Sequence, residues 1–339
     1  MTVDLTAPAA AVPDAVVDRI RRARRVLAVS HENPDADTLG STLAVCRIAE
    51  TLGASATAVC TDPIPPLYHF LDGVERFRTD PEPDAGYDLL VVSDCATSDR
   101  VGAVAARHPV LFAELPRVVL DHHASTVAAG PTDWIERTSA ATCEMTALLA
   151  TRLGVPLDLD GGALAAVLLA GIVMDTATFA HPNTTPRTLL VATALVEAGA
   201  PLSDISRRIY RTKAEAQLRL FGRVLARMDS ALDGRLVWTT LLDADLAATG
   251  AQPPHSEGII DLLSQSETAD VAIVFKESDG GTRISVRTRP NGVDATTLTG
   301  TFGGGGHARA AGATIALPVD RAVPLVLAEA ERSVAALAG

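Results

Sequence analysis

Several features that would classify the chain at once are missing from it. Its four cysteines, Cys46, Cys60, Cys95 and Cys143, lie far apart and form no C-x-x-C pair. That excludes a zinc ribbon or a disulfide framework and suits a reducing, cytoplasmic setting. Basic charge is also in deficit: Asp and Glu outnumber Lys and Arg by 41 to 29, for a net charge of -12, and lysine occurs only at 213 and 276. A protein that coats long nucleic acid needs the opposite balance to replace condensed counterions. The longest apolar run, Ala163 to Met174, is too short to span a bilayer. Asp4, Asp14 and Asp18 interrupt the beginning of the chain, so no signal peptide is expected there. Repeats, low-complexity tracts, a G-x-S-x-G elbow, a Walker loop and a dinucleotide fingerprint are all absent.

What remains is ordinary globular composition, 339 residues with 47% hydrophobic and 21% charged, enough for two domains. In the first half, Val26–Ser30, Ala56–Cys60, Asp88–Ser93 and Arg117–Leu120 read as buried strands. Helical patterns alternate with them, among them 39–52 and 139–153, each followed by a glycine stop. This alternation predicts an α/β fold, a doubly wound parallel sheet covering residues 1–200. Residues 201–233 read as a helical linker. From 234 to 339, strand patterns at 235–242, 271–278 and 283–288 and a glycine-rich turn predict a smaller α+β domain.

Open α/β sheets bind ligands beyond the carboxyl ends of their strands. There this chain places His31, Asp35 and Asp37 after the first strand, Asp94 after the third and Asp121-His122-His123 after the fourth. Asp175 ends the apolar helix. Carboxylates and imidazoles without thiolate suit hard divalent cations such as Mn²⁺, Mg²⁺ or Fe. Two carboxylates as close as Asp35 and Asp37 repel unless a cation neutralises them. Helix capping offers an alternative for Asp37, with a helix starting near Leu39. It does not explain His31 and Asp35 together.

The run H-x-N-P-D-x-D from His31, the V-S-D of Asp94, the literal Asp121-His122-His123 and the M-D-T of Asp175 resemble the motifs of the DHH phosphoesterase superfamily. The segment from Gly303 to Gly312, GGGGHARAAG, is similar to the signature of its companion DHHA1 domain. Together they span about residues 20 to 315. The compact size resembles the nanoRNase/pAp-phosphatase branch, which includes actinobacterial cyclic-di-AMP phosphodiesterases.

That resemblance implies two divalent cations, Mn²⁺ foremost and Mg²⁺ or Fe as alternatives, with a water between them as nucleophile. His31, Asp35 and Asp94 would hold one; Asp37, Asp94, His122 and Asp175 would hold the other, with Asp94 bridging. His123 and Asp121 join Asp94 as catalytic residues, His123 facing the phosphate and Asp121 orienting the histidine pair. Ala36 and Ala177 depart from the family pattern, which favours glycine at both places. In the second domain, Gly304, Gly305, Gly306 and His307 would approach the substrate. Strand alternation puts Arg283, Arg287 and Arg289 on one face, with Arg287 the leading contact and Arg100 a further candidate. The implied substrates are 3′-phosphoadenosine 5′-phosphate (pAp), oligoribonucleotides of a few residues, and cyclic di-AMP or its linear product. Neither long nucleic acid nor membrane is an expected partner, and a homodimer fits the resemblance. The rival readings are a manganese-dependent inorganic pyrophosphatase and a non-catalytic nucleotide-binding regulator.

Overall fold

The computed structural model describes residues 3–95, 100–123, 126–278, 280–290 and 292–336. The chain divides into two compact units, Met1–Thr212 and Lys213–Gly339.

The first unit is built on a five-stranded parallel sheet of β1 (Arg25–Val29), β2 (Ser55–Val59), β3 (Leu89–Ser93), β4 (Arg117–Asp121) and β5 (Asp133–Ile135), in the order β2-β1-β3-β4-β5. β-Branched and leucine-rich runs form these strands because both faces are buried. Val26, Ala28, Leu89, Val91, Val118 and Leu120 pack to one side. Leu27, Val29, Leu90, Val92 and Val119 pack to the other, against Val101 and Val104. The first side carries the helices that matter for the site: α1 (Ala36–Thr51), α2 (Thr142–Leu153) and α3 (Leu159–Asp175). Asp160, Gly161 and Gly162 hold left-handed backbone angles inside the first turn of α3, so its regular part coincides with the apolar run from Ala163. Beyond it lie α4 (Pro186–Glu197) and α5 (Leu202–Tyr210). No single helix is long and apolar enough to cross a membrane among the described residues.

The second unit holds a six-stranded mixed sheet, β10-β11-β9-β8-β7-β6. Its strands are β6 (Asp229–Ala231), β7 (Leu236–Leu241), β8 (Val271–Ser278), β9 (Gly281–Thr288), β10 (Gly305–His307) and β11 (Ala310–Ile315). The segment read as a linker divides between the two units. Ile205 and Ile209 of α5 join the core of the first, while Leu220, Phe221 and Val224 of α6 (Glu215–Leu225) join a core of the second.

Candidate metal centre

The chain leaves β1 toward one edge of the sheet and β3 toward the other, so a crevice opens between their carboxyl ends. His31 and Asp94 flank it. The Nδ1 of His31 donates to the Glu32 carbonyl at 2.7 Å. That fixes the tautomer and leaves Nε2 facing Asp94 Oδ2 at 3.3 Å and Asp35 Oδ2 at 3.9 Å. Thr38 ties the two strand ends together, accepting from the His31 N–H and donating to the Ser93 carbonyl. Asp35 Oδ1 accepts from the N–H groups of Asp37 and Thr38 at 2.9 and 3.1 Å. Asp35, not Asp37, therefore caps α1, because the helix begins at Ala36, a turn earlier than the sequence pattern indicates. Ala36 is fully buried in that first turn.

Asp37 is occupied differently. It is fully buried, and its Oδ2 and Oδ1 accept from the backbone N–H groups of Thr142 and Cys143 at 2.7 and 2.8 Å. The N-cap residue of α2 is Ala141, which has no side chain able to cap, so Asp37 does so from another helix. The Thr142 hydroxyl donates to Asp94 Oδ1 at 2.9 Å. Asp94 itself sits at φ +65°, a left-handed angle that costs a non-glycine residue free energy and is commonest at functional sites. Gly171 of α3 completes this packing. A Cβ there would stand 2.4 Å from Cys143 Sγ and 2.5 Å from Asp37 Oδ1.

His122 donates from Nδ1 to the Ser139 carbonyl at 3.3 Å. Its Nε2 lies 3.1 Å from Asp175 Oδ2, 3.5 Å from Asp94 Oδ1 and 3.9 Å from Asp37 Oδ2. That nitrogen is buried and makes no hydrogen bond among the described residues. A buried imidazole lone pair aimed among carboxylates, with the opposite nitrogen anchored as a donor, is the donor set of a metal ligand. The residues present therefore fit a cation. The ligand-type atoms fall into groups of His31, Asp35 and Asp94, of Asp37, His122 and Asp175, and of Asp94, His122 and His123.

The electrostatics reflect the same crowding. Burial, then the charges of Asp94 and Asp175, push the Asp35 carboxyl up to about 6. Burial and the same two neighbours raise Asp37 well above the usual carboxylate range, and Asp175 is raised as well, chiefly by burial. Burial would raise Asp94 too, but His122 and His31 outweigh it and hold it below the ordinary value. Burial alone would lower His122; the carboxylates of Asp175, Asp94 and Asp37 override that and push it up to about 12. These groups share too little water to coexist as charges without a counter-ion.

Asp121 acts on one histidine only. Its Oδ1 accepts from His123 Nδ1 at 2.7 Å and its Oδ2 from the Thr126 hydroxyl, whereas His122 is held by Ser139. The expectation that Asp121 orients both rings is corrected, because the rings tilt 55° apart and present their nitrogens to different partners. Burial opposes ionisation of Asp121, but the His123 and Thr126 hydrogen bonds prevail and lower its pKa. Beyond Asp175, Ala177, Thr178 and Phe179 all have positive φ, so Ala177 adopts the left-handed backbone that glycine adopts most easily.

Candidate contacts elsewhere are placed as follows. Arg100 is exposed, and its carbonyl accepts from the Glu32 N–H at 2.8 Å. Arg287 lies on β9 but is paired with Asp261 at 3.1 Å. Arg289 falls past the end of β9 and donates to the Ser266 and Glu267 carbonyls, so the expected arginine trio reduces to Arg283 and Arg287. Gly305 and Gly306 belong to β10, whereas Gly303 lies in the turn before it and Gly304 joins the two. A Cβ on Gly304 would stand 2.2 Å from the Gly312 carbonyl oxygen and one on Gly306 2.6 Å from that of Ala310, while Gly305 meets open space. Close approach to β11 thus accounts for Gly304 and Gly306. His307 is exposed. His69, His108 and His255 hydrogen-bond to Ile64, Asp80 and Gln252.

Residues 25–172 match the DHH family, N-terminal domain, and residues 240–336 match the DHHA1 domain. A bifunctional oligoribonuclease and PAP phosphatase NrnA of Thermus thermophilus is 32% identical over 88% of this chain and 86% of its own length. The chain belongs to the DHH/DHHA1 phosphoesterase family. The NrnA of Bacillus subtilis is 26% identical, covering 84% of this chain and 87% of that protein. An exopolyphosphatase-related protein from Bacteroides fragilis shares the fold, with a TM-score of 0.87, 20% identity, and coverage of 97% of this chain and 99% of that one. In this DHH/DHHA1 phosphoesterase, sequence reasoning missed Thr142, Ser139, Thr126 and Gly171. The one signal available was a helix opening on Ala141 without a cap of its own.

Proposed function

We propose that the protein is a divalent-cation-dependent phosphoesterase of small nucleotides: pAp, oligoribonucleotides of a few residues, and cyclic di-AMP or its linear product. The observation that carries this is the division of Asp94, whose Oδ2 faces His31 and whose Oδ1 faces His122. One carboxylate shared in that way suits a paired site. Asp35, His31 and Asp94 would hold one cation; Asp37, Asp94, His122 and Asp175 would hold the second. Mn²⁺ suits this oxygen and imidazole set best, ahead of Mg²⁺ or Fe. Bound cations supply Lewis-acid charge and acidify water toward neutral pH.

The chain's own groups do the rest. Thr142 keeps Asp94 Oδ1 aimed, and the N-terminus of α2 fixes Asp37. With Nδ1 engaged by Asp121, His123 presents Nε2 to the substrate and offsets charge on the phosphoryl oxygens. Arg100, Arg287, Gly305 and His307 are the proposed substrate contacts. The NrnA relatives, oligoribonuclease and PAP phosphatase by name, support the nucleotide reading.

The test is a side-by-side release assay with Mn²⁺ on pAp, diadenylate, cyclic di-AMP and pyrophosphate. Turnover of the nucleotides above pyrophosphate is expected. Preference for pyrophosphate would favour the pyrophosphatase reading, and no turnover of any would favour a nucleotide-binding regulator.

A further inference from the structure

His122 and Asp175, whose ligand atoms lie 3.1 Å apart, are delivered by separate segments of the first unit. Asp175 is the last residue of α3. His122 is oriented from outside its own loop, by the carbonyl of Ser139 just ahead of α2. The end of α3 and the segment 139–141 must therefore keep a fixed spacing. Helix ends leave carbonyls without intrahelical partners, and here the chain turns away at once. Ala177, Thr178 and Phe179 stand at φ +48°, +59° and +66°. Three successive left-handed residues with side chains carry a conformational cost, so this turn needs contacts from beyond it to hold its course.

The Asp175 carbonyl accepts from His181 Nδ1 at 3.1 Å and from Asn183 Nδ2 at 3.2 Å. The same Asn183 Nδ2 donates to the Ala140 carbonyl at 3.1 Å. An amide nitrogen carries two hydrogens and both acceptors are carbonyls, so only the nitrogen end of this side chain can satisfy them. Ala140 is held from its other side as well. Its N–H donates to Oε2 of the fully buried Glu144 at 3.1 Å. That carboxylate also accepts from Arg187 Nε at 2.7 Å and the Thr188 hydroxyl at 2.8 Å, both in the first turn of α4. Asn183 thus joins the ligand-bearing end of α3 directly to the segment that sets His122. His31 and Asp35 take their orientation elsewhere, from the Glu32 carbonyl and the first amides of α1.

We propose that Asn183 is a positioning residue for the cation of Asp37, Asp94, His122 and Asp175, fixing the spacing of His122 and Asp175 through the two carbonyls it bridges. This rests on the divalent-cation reading and refines it, because Asn183 acts on one cation of the pair. Groups that orient metal ligands from behind contribute about tenfold to hundredfold in metal affinity, and that is the scale of the effect. The cation of His31, Asp35 and Asp94 keeps its affinity.

The experiment measures Mn²⁺ binding by titration calorimetry on the full chain, without substrate. It compares the parent with Asn183→Leu, which keeps the volume of the amide and lacks its donors. The parent is expected to bind two Mn²⁺, and the variant to bind one of them about tenfold or more weakly. The same substitution is then placed in Asp175→Asn and in Asp35→Asn. It should add little to the loss in Asp175→Asn and exert its full effect in Asp35→Asn. Unchanged Mn²⁺ affinity in Asn183→Leu, or a loss of equal size in both backgrounds, overturns the positioning role; the second result is what a general loosening of the fold gives. Asn183 is exposed, and exposed substitutions seldom unfold a protein, so metal-free melting is expected near the parent. Asn183→Ala carries the same expectations without adding apolar surface, and decides the matter if the leucine variant melts early. A parent that fails to bind two Mn²⁺ defeats the divalent-cation reading and this refinement together. A parent that binds two, with a variant that binds both as tightly, defeats the role of Asn183 alone.

Discussion

Asp37 and Thr142 are 105 residues apart in sequence, yet the Asp37 carboxylate accepts the Thr142 N–H at 2.7 Å and the adjoining Cys143 N–H at 2.8 Å. One side chain thus serves as a candidate metal ligand and as the cap of a helix to which it does not belong. Asp37→Ala leaves both amides unpaired and should cost about 1–3 kcal/mol of stability. Asp37→Asn restores one acceptor and removes a buried charge, so it should stay near the parent in stability while losing turnover. Urea unfolding of the three proteins checks this; an alanine variant as stable as the parent would show that the cap contributes nothing.

Cation content separates the ligands. Chelation should abolish turnover and added Mn²⁺ should restore it. Asp175→Asn should weaken one cation and Asp94→Asn both, read by equilibrium dialysis with elemental analysis. Full activity in protein verified to be metal-free would end the proposed mechanism.

Asp35 gives a pH signature without added metal. Its folded value of about 6 exceeds the ordinary 3.8, so the folded state binds the proton more tightly than the unfolded chain. Its contribution to stability is therefore fully present below about pH 4 and is lost as pH rises through about 6. Asparagine at 35 still caps α1 but does not titrate. Melting temperatures of the metal-free parent and Asp35→Asn should agree near pH 4 and diverge toward pH 7, the variant being higher. A gap independent of pH would refute the assignment.

Gly171→Ala improves helix propensity on paper. Here the added methyl meets Asp37 Oδ1 and Cys143 Sγ at 2.5 and 2.4 Å, so it must displace the carboxylate. A fall in kcat of about tenfold or more is expected, since a small misplacement of a reacting group costs on that scale. Unchanged Mn²⁺ affinity and kcat would show that the helices yield instead.

The sheet of the first unit was legible because buried parallel strands are written as short β-branched runs between glycine and aspartate stops. β5 escaped because Asp133–Ile135 is only three residues long and carries no pattern. His31, Asp35, Asp37, Asp94, His122 and Asp175 stood out through residue type at strand and helix ends. Thr142, Ser139 and Gly171 did not, since their roles exist only once α1, α2 and α3 have docked. Arg287 looked free because nothing local predicts that Asp261 lies beside it.

Substrate length follows from charge. With -12 overall and few unpaired cations on the second unit's sheet, nucleotides beyond a short grip add repulsion and little contact. Catalytic efficiency per molecule should fall steeply from di- and trinucleotides to an oligomer of about 25 residues, with a shallow salt dependence for the short ones. Equal, processive degradation of the long oligomer would instead indicate a true exonuclease.

The cap that α2 borrows from Asp37 also bears on the order of assembly. A helix whose first amides have no local acceptor cannot secure its opening turn while α1 is elsewhere, so that turn closes only when the two helices meet. The amides of Thr142 and Cys143 thereby become reporters. Their hydrogen exchange, read in the native protein, measures how often α1 and α2 part company, and so how often the ligand set is open, without any substrate being present.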